Sequence, residues 1–159
     1  MIDQLINLVR QNAGDAIVKN PAIPNEKNDD AIQDVAQNIF GGLKDQVQGG
    51  NLSSLVSMFS SGASTSNPAV SQIVSRVAGS LASKFGVSPQ TAQQIASSIL
   101  PVVMSQFVNK AKDPNDKDFD LQDIVSKVGG GNVDAGDLLG KITGGSGGIG
   151  GALGKMFGN

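Results

Sequence analysis

The sequence predicts an all-α fold: a compact multi-helix bundle with a central antiparallel helical hairpin and a glycine-rich C-terminal extension of short helices. Apolar residues recur every three or four positions in several segments, which is the period of a helix that buries one face. No segment shows sustained alternation with β-branched or aromatic residues, so we predict no sheet. Thirteen of the 21 glycines lie in residues 129–159, where the composition changes.

These patterns divide the chain into two parts. Residues 1–128 form the predicted bundle domain, and residues 129–159 form a glycine-rich tail. Within the bundle domain we expect, in order, three N-terminal helices in 1–59, a Ser/Gly/Thr linker in 60–66, the helical hairpin in 67–112, and a loop with a short helix in 113–128.

The first two helices are predicted from their apolar faces. The first face ends before Pro21 and comprises Ile2, Leu5, Ile6, Val9, Ala13, Ala16 and Ile17. The second helix starts at Asn25 or Asn28, both good N-cap residue types, and ends at the Gly49-Gly50 pair. Asn51 is then expected to cap a short third helix.

The hairpin is predicted from two similar start signals. Asn67-Pro68 and Ser88-Pro89 each place an N-cap residue before a proline at the first helical position. Gly86 ends the first of the two helices. In the second, residues 99–104 are apolar on all sides, which indicates a helix enclosed by its neighbours, and Pro101 is expected to kink it.

The composition excludes several classes of function. The net charge is −2, basic residues are scattered, and neither Trp nor Tyr is present, so we expect no nucleic-acid binding. Cys and His are both absent, which removes thiol nucleophiles, imidazole bases and the usual zinc, copper and haem ligands. We therefore expect no cofactor, no small-molecule substrate and no enzymatic activity.

One acidic stretch matches part of a calcium-binding loop. Asp116, Asp118 and Asp120 occupy its first, third and fifth positions. The sixth position requires glycine and is Leu121, and the twelfth requires glutamate and is Lys127. Helix capping and solvation explain these aspartates better, so we predict no metal site.

The sequence also bears on localisation. The N-terminus, Met1-Ile2-Asp3-Gln4, lacks the positive charge and the apolar run of a signal peptide. The longest strongly apolar stretch, 99–104, is far below the ~20 residues that a membrane span needs. We expect a soluble, cytoplasmic protein with no transmembrane segment, and export by a signal-free route stays open.

The glycine-rich tail allows three interpretations. Glycines recur at every fourth residue, and each one inside a helix costs about 0.5–1 kcal/mol relative to alanine, so such a helix forms only when it is packed. The tail is a flexible linker, a weak membrane-surface anchor, or a docking or self-association segment. Its candidate partner-binding residues are Leu139, Ile142, Leu153, Met156 and Phe157.

Several motifs in residues 1–125 resemble a bacterial family of unknown function to which the YidB-like proteins belong. The most specific motif is Asn20-Pro21-Ala22-Ile23-Pro24-Asn25-Glu26. The others are Gly42-Leu43-Lys44, Gly49-Gly50-Asn51-Leu52, Phe85-Gly86-Val87-Ser88-Pro89 and Leu100-Pro101. The resemblance implies an all-helical bacterial protein, and it supplies neither an activity nor a catalytic residue. The tail departs from the YidB-like pattern.

The segment from Asn20 to Asn25 allows two interpretations. Its two prolines fix the backbone on both sides of Ile23. The favoured interpretation is a rigid connection between helices with Ile23 in the core. The alternative is a shaped surface loop that a partner recognises, which makes Ile23 a candidate partner-binding residue.

Together these observations favour a non-enzymatic structural or interaction protein, held in a larger bacterial assembly through a protein partner or self-association. A peripheral membrane-acting protein that uses the tail is the alternative. An enzyme of unrecognised type ranks third.

Overall fold

Five α-helices account for most of the chain in a computed structural model, which describes residues 2–113, 115, 116 and 126. They are α1 (Ile2–Asn12), α2 (Asn28–Gln48), α3 (Leu52–Ser61), α4 (Pro68–Phe85) and α5 (Pro89–Lys112). A π-helical turn follows α1 at Gly14–Val18, and a 3₁₀ turn at Asn25–Lys27 precedes α2. The described residues contain no strand, which confirms the all-α prediction for this part of the chain.

Four of the helices pack in a closed ring. α1 lies against α2 and α5, α2 lies against α4, and α4 lies against α5. The short α3 packs on α2 and α4, and its Phe59 ring meets Phe107 of α5 with ring centroids 6.2 Å apart. The buried apolar faces of the helices meet inside this ring as one core. The predicted hairpin of α4 and α5 is therefore one side of a multi-helix bundle.

Both predicted start signals of the hairpin are confirmed. Asn67 Oδ1 accepts a hydrogen bond from the backbone N–H of Ala69 at 2.9 Å, at the start of α4. Ser88 Oγ accepts one from the N–H of Thr91 at 3.2 Å, at the start of α5. Gly86 ends α4 with a φ of 67°, a left-handed conformation that favours glycine. The chain can therefore reverse within three residues.

The first helix is shorter than predicted. α1 ends at Asn12, and the chain continues in a π-helical turn whose N–H groups bond five residues back, from Val18 to Ala13 at 3.0 Å. The wider turn keeps both Ala13 and Ile17 in the core, so the apolar face continues past the end of α1.

The predicted N-cap of α2 is wrong, and that of α3 is correct in position but lacks the capping bond. α2 begins at Asn28, as one of the two alternatives predicts, but neither Asn25 nor Asn28 caps it, because the N-cap position is Lys27 without a side-chain bond. The side chains of Asn25 and Asn28 bond to each other instead, at 3.4 Å. Asn51 does occupy the N-cap position of α3, but its side chain makes no capping bond either.

Residues 99–104 are not enclosed on all sides. Val102 is 45% exposed, whereas Ile99, Leu100, Val103 and Met104 are buried. α5 packs against α1 on one side and α4 on the other, which leaves one outer face to solvent. The helix continues through Pro101 without interruption.

Candidate partner-binding site

Residues 18–25, from the end of the π-helical turn to the start of the 3₁₀ turn, are called the connector here, and Asn20 determines the path of this segment. Asn20 Nδ2 donates to the carbonyl of Ala16 at 3.0 Å. Asn20 Oδ1 accepts from the N–H of Ala22 at 3.0 Å, and the Asn20 carbonyl accepts from the N–H of Ile23 at 3.1 Å. One side chain therefore closes the preceding helical turn and also folds the next turn back on itself.

Two prolines make the connector rigid. Pro21 and Pro24 lie on either side of Ile23, and each ring fixes its own φ near −65°. At the other end, the carbonyl of Pro24 accepts from the N–H of Lys27 at 2.8 Å, which starts the 3₁₀ turn. The backbone therefore has few alternative conformations before anything binds to it.

The connector lines a pocket that is largely open to solvent. Its volume is about 360 Å³. The lining residues are Val18, Lys19, Asn20, Pro21, Ile23, Pro24 and Asn25. This cavity is called the connector pocket here. Small-molecule sites range from about 300 to 1,000 Å³, so the connector pocket has room for a side chain or a short fragment rather than a large cofactor.

Ile23, the candidate partner-binding residue in this segment, lies in the core. It is 1% exposed, so the expectation that Ile23 lies in the core is confirmed. Ile23 also contributes to the wall of the connector pocket. Pro21, Pro24 and Asn25 are exposed, and Val18 is 42% exposed. A partner would touch these residues first.

An exposed ion pair borders the connector pocket. Lys19 Nζ lies 2.9 Å from Asp15 Oδ1, one helical turn earlier. The hydrogen bond from Lys19, and then its positive charge, lower the pKa of Asp15, and the same two interactions raise the pKa of Lys19. The positive charge at the pocket edge is thus compensated within the protein.

A second polar feature runs along the contact between α2 and α4. Asp34 is 5% exposed, and it accepts hydrogen bonds from Lys84, from Ser80 at 2.6 Å and from Asn38 at 3.1 Å. Further along, Arg76 donates to Asn38 at 3.3 Å.

Two further contacts complete this feature, which is called the polar ladder here. Arg76 pairs with Asp45, and the buried Gln46 bonds to Gln72. The α4 residues of the ladder recur every fourth position, from Gln72 to Lys84, so they lie on one line of the helix.

The polar ladder was not predicted from the sequence. The four-residue spacing in α4 was its available signal, but a line of polar residues on a helix is also typical of a solvated face. Only the facing residues on α2 distinguish the two cases. Since the charged groups of the ladder bond to one another across the two helices, the ladder serves to join α2 to α4.

The other candidate residues lie outside the described part of the chain. These are Leu139, Ile142, Leu153, Met156 and Phe157 in the tail, together with Asp118 and Asp120 of the calcium-loop pattern. Asp116 is described, and its Oδ2 lies 3.1 Å from Lys110 Nζ. Among the residues described, no three His, Cys, Asp or Glu side chains come together as a metal site would require.

Within residues 2–113, none of the helices has both the length and the apolar character needed to cross a bilayer.

The fold defines a class: an all-α bundle protein, in which a connection with two prolines joins two of the helices. A family model described as "Bacterial protein of unknown function (DUF937)" matches residues 70–159, more than half of the chain. The chain therefore belongs to this bacterial family, and the resemblance to the YidB-like proteins is consistent with it. No curated protein and no solved structure matches the chain.

The match contains only some of the motifs quoted for the resemblance, because the motifs at 20–26, 42–44 and 49–52 precede it. It begins at Val70 near the start of α4 and includes the glycine-rich tail, whereas the resemblance extends over residues 1–125. The tail is thus part of the family pattern, although it departs from the YidB-like one. The connector precedes the matched part.

Proposed function

We propose that this chain is a non-enzymatic structural or interaction protein, a component of a bacterial assembly, and that a protein partner binds at the connector pocket. The observation that carries this proposal is that the pocket is formed in the isolated chain by a rigid backbone. The hydrogen bonds of Asn20 and the rings of Pro21 and Pro24 hold its walls. A preformed site loses little conformational entropy when a partner binds, which favours affinity.

The rest of the described polar surface offers less to a partner. The polar ladder uses its strongest charges internally, since Asp34 bonds to Lys84 and Asp45 bonds to Arg76. A partner that used these charges would have to compete with the pairs that they already form. The connector pocket, by contrast, offers an open volume with exposed proline and valine on its rim.

Two other functions rank lower in this proposal. A peripheral membrane role depends on tail residues outside the described part, and flotation of the full chain with anionic liposomes tests it. An enzyme would be favoured by a pocket with two close carboxylates. The lining of the connector pocket consists of two prolines, two asparagines, one lysine and two aliphatic residues.

Site-specific photo-crosslinking in the native bacterium tests the proposal. A photo-reactive amino acid replaces Pro21 on the pocket rim, and a matched control replaces the exposed Gln94 on α5. We expect one discrete adduct from position 21 that is missing from position 94. If both positions give the same products, or neither gives any, the connector is not the partner site.

Size-exclusion chromatography with light scattering then identifies the kind of partner. The full chain is compared with a chain that ends at Lys127. If the full chain associates and the shorter chain is monomeric, the partner is another copy and the tail is required for assembly. If both are monomers, self-assembly is excluded, and the adduct identifies a different protein.

A further inference from the structure

The short helix α3 is attached to the bundle by one apolar face. Leu55, Met58 and Phe59 are all buried. Because these positions are three and four residues apart, their side chains lie on the same face of the helix. α3 packs on α2 and α4, and the ring of Phe59 meets that of Phe107 in α5 with centroids 6.2 Å apart. The surface of α2, α4 and α5 that receives these three side chains is called the α3 site here.

Glycines in the left-handed region of φ flank α3. Gly50 before the helix has a φ of 75°, and Gly62 after it has a φ of 95°. Asn51 occupies the N-cap position without a capping bond, and a helix of ten residues is too short to persist in water without packing. The helical form of α3 therefore depends on the α3 site, and the flanking glycines allow the segment to leave it.

The three side chains that fill the α3 site recur in the tail. Residues 153–157, Leu-Gly-Lys-Met-Phe, repeat the Leu, Met and Phe of residues 55–59, Leu-Val-Ser-Met-Phe, at the same spacing. The chain has four methionines, and two of them precede a phenylalanine and follow a leucine three residues earlier. A shared apolar spacing alone would be common among helices, but the shared residue types make this repeat specific.

The two positions that differ between the segments are compatible with the same site. Lys155 takes the position of Ser57, which is exposed, so its charge would stay in water. Gly154 takes the position of Val56, which is partly buried against the core. Glycine loses that apolar contact and weakens the helix. Residues 153–157 therefore fit the α3 site, but they fit it less well than α3 does.

The α3 site lies near the point where the tail leaves the bundle. Phe107 is five residues before Lys112, the last residue of α5, which is about 8 Å along a helix. A chain of about 40 residues, the separation of Asp113 from Leu153, spans about 30–40 Å even without defined structure. Such a tether keeps the segment at an effective concentration on the order of millimolar. The same chain therefore supplies the nearest second occupant for its own α3 site.

We propose that residues 153–157 can replace α3 in the α3 site of the same chain. Leu153 and Met156 take the places of Leu55 and Met58, and Phe157 packs against Phe107. α3 is the resting occupant, because its tether is shorter and its helix contains no glycine. A partner that binds the tail keeps α3 in place, whereas a partner that binds α3 admits the tail. This inference does not depend on the connector pocket.

The first test observes the exchange directly in the full chain with ¹³C-methyl-labelled methionine. Leu55→Asp places a charge on the buried face of α3 and should release that helix from its site. We expect the methyl group of Met156 then to show nuclear Overhauser contacts with the ring of Phe107, which the unmodified chain lacks. No such contacts in a folded Leu55→Asp chain would overturn the inference.

The second test is a double-mutant cycle in the full chain, and it decides the question if Leu55→Asp does not fold. Phe157→Ala should leave the urea midpoint of the unmodified chain unchanged, because α3 occupies the site. In Phe59→Ala, which weakens α3, the added Phe157→Ala should shift the unfolding equilibrium by about two- to ten-fold towards the unfolded state. Leu139→Ala, an apolar truncation in the tail outside the repeat, should have no effect in either background.

Equal effects of Phe157→Ala in both backgrounds would contradict the exchange, and so would an effect of Leu139→Ala as large as that of Phe157→Ala in the Phe59→Ala chain. Dilution identifies the source of the segment. Contacts between Met156 and Phe107 that persist on dilution support exchange within one chain. Contacts that disappear on dilution show that the segment comes from a second copy, and they overturn the assignment to the same chain.

Discussion

Gly42 lies at the closest approach between α2 and α4, and Gly79 lies on the exposed side of α4. A Cβ atom at residue 42 would be 2.6 Å from Ile73 Cγ1, whereas a Cβ atom at residue 79 would meet nothing within 4 Å. We expect Gly42→Ala to lower the free energy of unfolding by about 1–3 kcal/mol through overpacking. Gly79→Ala should raise it by about 0.5–1 kcal/mol, because alanine is the better helix former.

Urea denaturation of both glycine variants beside the unmodified chain measures these two changes. Equal effects would show that α2 and α4 are further apart than described.

The two carboxylates of the polar ladder differ in burial, which leads to a second prediction. Asp34 is buried under Lys84 and Ser80, whereas Asp45 pairs with Arg76 at the surface. We expect Asp34→Asn to cost about 1–3 kcal/mol of unfolding free energy, because an amide cannot satisfy the donors that point at it. Asp45→Asn should cost about 0–1 kcal/mol, as for a surface pair. Thermal denaturation of both variants compares them, and a larger effect at Asp45 would contradict this account.

The Asp15–Lys19 pair gives a pH-dependent prediction. The pKa of Asp15 is lower in the folded protein than its ordinary value of 3.8. The stabilisation by this pair is therefore fully present above pH 3.8 and is lost as the pH falls through the lower, folded pKa. An NMR titration should give a low pKa for Asp15 in the unmodified chain and an ordinary one in Lys19→Gln. An unchanged pKa in that variant would show that the pair does not form in solution.

At the scale of the elements, the helices that begin at predicted caps offer a matched comparison. Asn67 caps α4, and its Nδ2 also donates to the carbonyl of Ser54 in α3 at 3.0 Å. Asn51 occupies the same position before α3 without a capping bond. We expect Asn67→Ala to cost about 1–2 kcal/mol and Asn51→Ala less than about 0.5 kcal/mol. Urea denaturation of the two variants measures both losses of unfolding free energy. Similar losses in Asn67→Ala and Asn51→Ala would show that Asn51 also acts as a cap.

The elements also show what the sequence can and cannot predict. The starts of α4 and α5 follow from Asn67-Pro68 and Ser88-Pro89, since a cap and a proline act on their immediate neighbours. The π-helical turn after α1 was not predicted, because the apolar spacing around Gly14 also fits a continuous α-helix. At Asn25 the residue type fitted a cap, but the side chain bonds to Asn28 instead.

The candidate site was only partly predictable. Rigidity of the connector follows from Pro21 and Pro24, and burial of Ile23 follows from its apolar side chain between them. The connector pocket depends on how Asn20 folds the chain back, and a sequence with several asparagines does not show which one does so. The exposure of Val102 depends on how many neighbours surround α5, which is a property of the assembled bundle.

At the scale of the whole molecule, the ring of four helices joins sequence segments that lie far apart. α4, where the family match begins, packs against α2, which precedes it. We therefore expect residues 1–64 and residues 65–159 to be unfolded when separate and to recover helical content when mixed. The cut falls among exposed residues between α3 and α4. Circular dichroism of each fragment and of the mixture measures this, and a stably folded 65–159 fragment would contradict it.

The polar ladder also determines how far α4 can slide along α2. The apolar faces alone would tolerate a shift of one helical turn, because hydrophobic contact has no direction. After such a shift Lys84 would face Asn38, and Asp34 would stay buried without its cation. A shift in that direction therefore leaves a buried carboxylate without its cation. The two cross-helix ion pairs, Asp34–Lys84 and Asp45–Arg76, thus disfavour this misalignment, which apolar packing alone would accept. An insertion of one residue between Gln72 and Lys84 would break the four-residue spacing on which the two pairs depend.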